Sequence, residues 1–138
     1  MNALSIRQPW AWLIIRPDLV GEARQKAIAD RLIKDCENRE WQSHYGGPLL
    51  IHAAQGMTHD EYRWARYFVL LKFDGRICIP APDDLQRGGI IGRVQMEGCT
   101  SQPQSPWFTG RFGFQFSNPE PLPFQPCRGM PGLFNIAI

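Results

Sequence analysis

The chain has 138 residues, of which 43% are apolar and 12% aromatic, and its formal net charge at pH 7 is only +2. We expect residues 1–138 to form a single domain with its own hydrophobic core. The small charge excludes a strongly basic protein that attracts nucleic acid over a long range, so any nucleic-acid binding must come from a local pocket. The longest apolar run, Trp10–Ile15, is far below the roughly 18 residues of a membrane span, and we expect a cytoplasmic protein without a membrane partner.

The cysteines and histidines are spread along the chain without the short spacings of a zinc site. They are Cys36, Cys78, Cys99, Cys127, His44, His52 and His59. In a chain of this length they are expected to be reduced thiols and isolated histidines. The sequence predicts no metal site and no cofactor, although a divalent ion could arrive together with a ligand.

The first motif is a corner between a strand and a helix. Residues 3–6 alternate as in a strand, and Pro9 suits the first position of a helix because its missing N–H would be unpaired there. Trp10, Leu13 and Ile14 then have the spacing of a buried helical stripe. Arg7 and Gln8 lie at this corner, where they could hold an anion or the edge of a base. Alternatively, both side chains satisfy neighbouring groups and serve the structure alone.

A short amphipathic helix is predicted over residues 22–33, after a connector that follows Arg16-Pro17-Asp18. Its apolar positions repeat at helical spacing, and Lys26 and Asp30 form an i, i+4 charge pair. The basic residues Arg24, Lys26 and Arg31 fit either contact with a polyanion or an ordinary solvated helix face.

Residues 34–41 contain the densest group of reactive side chains. In a strand, Glu37, Arg39 and Trp41 would share one face, and Glu37 could pair with Arg39. Lys34 would join them only if it lies at the entrance of the strand or beside a bulge. The alternative is a charged edge strand that protects the sheet against aggregation.

The next segments predict a buried strand at residues 49–54 and then a helix. His52 lies inside the strand and is either an inert, hydrogen-bonded residue or a base or acid that lines a pocket. Thr58 and Glu61 match a capping box that starts a helix ending near Lys72. The aromatic residues of this helix are expected in the core, although Tyr62 or Trp64 could stack on a base.

The remaining chain predicts short strands and ordered loops. Residues 90–96, 112–116 and 133–138 have strand patterns, and residues 119–131 are expected to form a rigid, proline-rich crossing. An aromatic loop over residues 105–110 contains Ser105 and Trp107. The fold class predicted from these elements is α+β, a small mixed β-barrel flanked by two or three helices.

Five motifs together resemble one family, the ASCH domain, named for activating signal cointegrator-1 homology. They are Ser-Ile-Arg-Gln-Pro-Trp at residues 5–10, Lys-Asp-Cys-Glu-Asn-Arg-Glu-Trp at 34–41, Gly-Pro-Leu-Leu-Ile-His-Ala-Ala at 47–54, Gly-Gly-Ile-Ile-Gly-Arg-Val at 88–94 and Ser-Pro-Trp-Phe-Thr-Gly at 105–110. The resemblance covers almost the whole chain and implies a PUA-like fold with a cleft. Carried over to this sequence, the cleft residues would be Arg7, Gln8, Trp10, Lys34, Glu37, Arg39 and Trp41, with Ser105 and Trp107 on the facing loop.

The resemblance implies two kinds of function, because family members are associated with RNA or DNA binding, some look like ribonucleases, and one branch hydrolyses N4-acylcytidine nucleosides. In that branch the motif resembles Lys-x-x-Thr-x-Arg, whereas here Glu37 stands in the place of the threonine hydroxyl. The hydroxyl that would serve as the nucleophile in that branch is therefore missing, and Glu97 is a candidate for the separate acidic partner that the resemblance implies. The insertion at residues 17–33 also looks longer than is common in the family.

Three functions follow from these residues, in this order. The first is a module that binds single-stranded RNA or a modified nucleobase or nucleoside. In it Arg7 and Arg39 hold phosphate, Gln8 and Glu37 read a base edge, and a tryptophan stacks on the base. The second is a hydrolase that uses the same cleft. For RNA cleavage, Glu37 or His52 would be the base and Lys34 or Arg39 the cation, whereas for an acylated base Lys34 would activate water while Glu37 moves the proton. The third is a protein-interaction domain that binds through its proline-rich half.

Overall fold

The structure is a computed structural model, and it describes residues 1–137. The strands are β1 (Asn2–Ile6), β2 (Cys36–Arg39), β3 (Gly47–Ala53), β4 (Gly89–Thr100), β5 (Phe112–Pro126) and β6 (Leu133–Asn135). The helices are α1 (Trp10–Ile15), α2 (Gly21–Ala29) and α3 (His59–Phe73), with a short 3-10 turn at Pro82–Asp84. The expected α+β class is confirmed. No helix within residues 1–137 is long and apolar enough to cross a membrane.

The six strands form one curled sheet, a half-barrel, in the order β2-β5-β4-β3-β1-β6. Strands β1 and β3 run parallel, and the other neighbouring pairs are antiparallel. The register shifts once between β3 and β4 and three times between β4 and β5. Such irregularities bend strands and increase their twist, which explains how two long strands can curl around a small core.

Helix α1 lies between two hydrophobic clusters. Ala11, Ile14 and Ile15 pack on the sheet, whereas Trp12 and Leu13 pack against α3. The predicted stripe of Trp10, Leu13 and Ile14 is therefore too narrow, because five of the six residues of α1 are buried. The helix also starts one residue later than predicted, with Pro9 as its N-cap residue after a cis peptide bond from Gln8.

Helix α3 begins and ends close to the predicted positions. The Thr58 side chain accepts a hydrogen bond from Glu61 N, and the Glu61 side chain accepts one from Thr58 N, which completes the capping box. Its buried residues are Tyr62, Ala65, Phe68, Val69 and Phe73. Tyr62 and Phe68 lie in the core as expected, whereas the same expectation is wrong for Trp64, whose surface is 57% exposed.

Three predictions about the other elements are corrected. The helix of the insertion covers Gly21–Ala29 rather than 22–33. The expected proline-rich crossing is largely the second half of β5, which continues to Pro126 because its edge pairs with β4 through the register shifts. The predicted final strand is only Leu133–Asn135, and Ile138 lies outside the described residues.

Arg24 is the residue that fixes the insertion to the sheet. Its guanidinium donates hydrogen bonds to four main-chain carbonyls, of which Ile15 O and Arg16 O are 2.8 Å away and Pro119 O in β5 is 2.6 Å away; the fourth is Leu19 O. Burial, and then the nearby charge of Arg16, lower the pKa of Arg24. Both predicted interpretations, contact with a polyanion and a solvated helix face, are therefore wrong for Arg24, because main-chain carbonyls occupy its guanidinium.

Candidate functional site

A cleft of about 1190 Å³ opens beside the C-terminal end of β1, between β2 and the glycine-rich segment 127–132. Six of the predicted site residues line it: Arg7, Trp10, Glu37, Arg39, Trp41 and His52. The structure therefore brings together side chains that are more than 40 positions apart in the sequence. Gln8, Lys34, Ser105 and Trp107 are not among its lining residues.

The centre of the site is a triad of charges from Lys34, Glu37 and Arg39. Lys34 Nζ lies 2.9 Å from Glu37 Oε1, and Arg39 Nη2 lies 2.9 Å from Glu37 Oε2. Lys34 precedes β2, and its main-chain N–H donates to Leu13 O at 2.8 Å, so this segment is fixed to α1. The sequence-based condition for including Lys34, a position at the entrance of the strand, is met.

Burial makes two members of this triad, Lys34 and Glu37, unusual for charged side chains, whereas the Arg39 side chain is 23% exposed. The Lys34 side chain is only 3% exposed, and that of Glu37 is 11% exposed. Lys34 also donates to Cys36 O, and Arg39 Nη2 donates to Ser5 O at 2.9 Å, which joins β2 to the end of β1. Buried charges require partners of this kind because water no longer solvates them. The triad carries one net positive charge.

A second, smaller space, which we call the aromatic recess, adjoins the cleft. It has a volume of about 270 Å³, and its aromatic walls are Trp10, Trp64, Phe68 and Trp107. Lys34, Glu37 and Asn38 form its polar side. Trp10, Glu37, Asn38 and Thr109 line both spaces, so the recess and the cleft meet at the triad.

The aromatic side chains of the recess support one another. The rings of Trp10 and Phe68 meet edge to face at 5.7 Å, and those of Phe68 and Trp107 lie 5.9 Å apart. Lys34 Nζ lies 5.8 Å from the centre of the Trp10 ring. Trp107 is only 1% exposed, and its indole N–H donates to Arg31 O at 3.0 Å. The predicted site residue Trp107 therefore forms an inner wall of the recess.

Arg7 faces the cleft but already has an anionic partner. Its Nε and Nη2 atoms lie 2.5 and 2.6 Å from the two carboxylate oxygens of Glu61. This two-point contact, together with the backbone and hydroxyl hydrogen bonds of Thr58, lowers the pKa of Glu61 to about 2. The same contact with Glu61 raises the pKa of Arg7. Any ligand phosphate at Arg7 must compete with Glu61.

Two predicted ligand-binding residues, Gln8 and Ser105, line neither the cleft nor the aromatic recess. Gln8 is 1% exposed; its Oε1 accepts from Trp12 N at 2.9 Å, and its Nε2 donates to Gln86 O at 2.8 Å. Of the two roles that the sequence allowed for Gln8, its amide therefore has the structural one, which is to satisfy neighbouring main-chain groups. Ser105 donates to Asp35 and accepts from the Trp107 main chain, so it orders the aromatic loop. Of the other candidates, Glu97 also lies outside the cleft and accepts from Ser117.

His52 lies in the wall of the cleft and is fully hydrogen-bonded. Its Nε2 is 2.8 Å from Cys127 O, which can only accept, so Nε2 carries a proton, and Nδ1 forms a hydrogen bond with Ser5 Oγ at 2.9 Å. Gly129 covers this pair, since a Cβ there would lie 2.7 Å from His52 Cε1. Only glycine allows the main chain at position 129 to lie this close to the imidazole ring. Through its hydrogen bond to Cys127 O, His52 connects the segment 127–132 to the sheet.

The segment that forms the far wall of the cleft contains none of the site residues predicted from the sequence. Residues 127–132, including Arg128, line it, as do Asn38, Thr109 and Gly110. The available signal was Gly129 and Gly132 within a proline-rich stretch, since glycines there permit close approach of the backbone. Trp41, 38% exposed, stands at the rim with its ring edge to face against Phe114 at 5.0 Å.

The charges that line the cleft are balanced. Arg7, Arg39 and Arg128 face Glu37, Glu40 and Glu61, and the lining shows no single-sign field. Within the described part of the chain, no three histidine, cysteine, aspartate or glutamate residues lie close enough to hold a metal ion.

Comparison with known proteins adds no assignment. A scan against models of protein families gives no match, and neither does a search of curated proteins. The interpretation of the site therefore depends on its geometry and chemistry.

Proposed function

We propose that this protein is an ASCH-type domain with a PUA-like fold, and that it holds a nucleobase of single-stranded RNA, or of a modified nucleoside, in the aromatic recess. The observation that carries the proposal is the combination of four aromatic walls with the Lys34–Glu37 pair in a space of about 270 Å³. This volume lies just below the roughly 300–1,000 Å³ typical of sites for drug-sized molecules, so it suits one flat ring system.

The triad supplies groups that match the edge of a base. The ammonium of Lys34 has three N–H bonds, of which two are directed to Cys36 O and Glu37 Oε1. Its third N–H can donate to a carbonyl oxygen or ring nitrogen. The Glu37 carboxylate has further lone pairs that can accept from an exocyclic amine. Stacking on the aromatic walls contributes roughly 1–3 kcal/mol per base, and the polar pair provides orientation.

The balanced charge of the cleft favours recognition of a base over recognition of a polyphosphate. A protein that binds mainly phosphates releases many counterions and loses affinity steeply as salt is added. Here three acidic side chains offset three arginines in the cleft. We therefore expect the binding of a mononucleotide to depend only weakly on salt.

Binding can be measured through tryptophan fluorescence, because Trp10 and Trp107 line the recess. Nucleosides, including N4-acetylcytidine, and short single-stranded RNA and DNA are titrated against the native protein. Lys34→Met and Arg39→Ala are expected to weaken binding about tenfold or more. Lys26→Met, at a side chain that is 76% exposed, is the matched control and is expected to bind like the native protein. Absence of binding by every nucleoside and oligonucleotide refutes the proposal.

Hydrolysis is a second candidate function, favoured by the grouping of one carboxylate and two cations where the cleft and the aromatic recess meet. Glu37 would take a proton from water or from a 2′-hydroxyl group, while Lys34 and Arg39 stabilise the developing negative charge. The contacts of Lys34 are those of an ammonium donor, which favours its role as the cation over the alternative in which it activates water. Incubation with single-stranded RNA and with N4-acetylcytidine, with and without magnesium or manganese, tests this. Glu37→Gln should abolish turnover; lack of turnover by the native protein contradicts the candidate.

A further inference from the structure

The outward side of α3 carries exposed apolar side chains that no part of the described chain covers. Trp64, Tyr67, Leu70 and Leu71 are 57%, 55%, 56% and 63% exposed. Trp64, Tyr67 and Leu71 follow the i, i+3, i+7 spacing of one helix face. They stand opposite the buried row that packs the helix into the core. Exposed aromatic side chains in such a group mark binding surfaces more often than isolated ones do.

This surface continues from the aromatic recess. The ring of Phe68, inside the recess, lies 6.4 Å from that of Trp64, which lies 6.1 Å from that of Tyr67 at an interplanar angle of 32°. Trp64 lines the recess on one side and, on the other, a groove of about 700 Å³ that also contains Tyr67 and Leu70. We call this space the α3 groove. Aromatic rings therefore lead from the buried recess to the surface.

The charge of the α3 groove differs from that of the cleft. Arg63 and Arg66 line it together with one acidic residue, Asp60. Within residues 1–137, neither arginine takes part in an ion pair, and Arg66 lies 5.8 Å from the ring of Tyr62. Exposed arginines beside stackable rings are the two components with which proteins bind single strands without reading their sequence.

We infer that the α3 groove binds the nucleotides next to the base held in the recess, with bases stacked on Trp64 and Tyr67 and phosphates at Arg63 and Arg66. This inference rests on the proposed function and makes it more specific. The ligand is then a single strand of several nucleotides rather than a free nucleoside. Selectivity comes from the recess, and the groove adds affinity that is sensitive to salt.

The experiment compares a mononucleotide with a hexanucleotide of the same base. The native protein should bind the hexanucleotide at least tenfold more tightly, since each stacked base adds roughly a factor of ten. Tyr67→Ala, and Arg63→Gln combined with Arg66→Gln, should remove about tenfold of this difference while the binding of the mononucleotide stays unchanged. Lys72→Gln removes a charge from the last turn of the same helix, outside the groove, and is the matched control.

Each outcome separates the two proposals. If the mononucleotide binds and the hexanucleotide binds no more tightly, or if Tyr67→Ala binds both like the native protein, the α3 groove is not a nucleotide site although the recess is. If neither ligand binds, both proposals are wrong. If the protein dimerises and Leu71→Lys makes it monomeric without changing the binding of the hexanucleotide, a second copy of the chain occupies the face, and the inference is overturned.

Discussion

The triad of Lys34, Glu37 and Arg39 gives the most direct test of which side chains stabilise the fold and which serve ligand binding. Substitutions of its members should differ in their effect on the free energy of unfolding. Glu37→Gln leaves two cations beside a neutral amide, one of them the 3% exposed Lys34. Lys34→Met instead removes the buried ammonium and fills its place with a side chain of similar length, while Glu37 keeps Arg39. We therefore expect the two substitutions to have very different energetic consequences.

The magnitudes follow from the desolvation of charges. Removing one partner of a buried ion pair typically costs about 3–5 kcal/mol, because a charge is then left buried without compensation. Lys34→Met largely avoids this cost, because the remaining Glu37 carboxylate stays paired with Arg39. The amide that Glu37→Gln introduces would keep some hydrogen bonds, which places this substitution at the lower end, about 3 kcal/mol. For Lys34→Met the lost hydrogen bond to Cys36 O offsets the gain from avoided desolvation, and the free energy of unfolding should change by less than about 1 kcal/mol.

Urea denaturation at pH 7 measures both effects. With a slope of about 1.5 kcal/mol per molar urea, the midpoint for Glu37→Gln should fall by about 2 M, and that for Lys34→Met should change by less than about 0.7 M. Both variants should lose most ligand binding. Equal destabilisation by the two variants, or a Glu37→Gln variant as stable as the native protein, would show that the triad is not a buried, coupled group and would refute the reasoning.

Three further predictions concern groups outside the triad. Arg7→Ala should return the pKa of Glu61 from about 2 towards its ordinary value in an NMR titration; because Glu61 is depressed, the pair stabilises the fold above about pH 4.5 and loses this contribution as the pH falls towards 2. Because Arg7 is half-exposed, Arg7→Ala should lower the free energy of unfolding at neutral pH by only about 0.5–1 kcal/mol. If the variant loses as much stability relative to the native protein at pH 2.5 as at pH 7, the ion pair is not what lowers the pKa of Glu61. Burial raises the pKa of Cys36 to about 11, so a thiol reagent at pH 8 should modify exposed Cys78 quickly and Cys36 only on unfolding. Arg24→Ala should lower the free energy of unfolding by about 2–3 kcal/mol in urea because four carbonyls lose a charged donor, and a loss below about 0.5 kcal/mol would argue against that role.

Local sequence signals predicted the parts of the fold that depend on local chemistry. The capping box at Thr58 marked the start of α3 because the signal lies within four residues. The extent of β5 could not be predicted in this way, because its prolines suggest a crossing, whereas pairing with β4 through register shifts accommodates them. The exposure of Trp64 also depends on contacts outside its own segment. Helical spacing shows which residues share a face of the helix, but it does not show how much of that face the core covers.

In the candidate site, too, local spacing predicts some of the residues, whereas the others depend on contacts between distant parts of the chain. Glu37 and Arg39 share a face because they are two positions apart on a strand, and this spacing is visible in the sequence. That Gln8 turns inward to Gln86 depends on a contact across 78 positions, which no local pattern contains. The far wall around Gly129 depends equally on long-range packing, against Ser5 and His52.

The structural and functional roles of the triad are linked through its position. Arg39 joins β2 to Ser5 O, and Lys34 lies behind Trp10, so the groups that close this end of the half-barrel also form the polar side of the recess. If these contacts served the fold alone, packed apolar side chains would stabilise the protein at least as well, since buried ion pairs rarely add net stability. A charged group held rigid in that position does, however, offer a ligand fixed donors and acceptors without the entropic cost of ordering them. The expected loss of binding without loss of stability in Lys34→Met is therefore the result that would separate a recognition site from a structural ion pair.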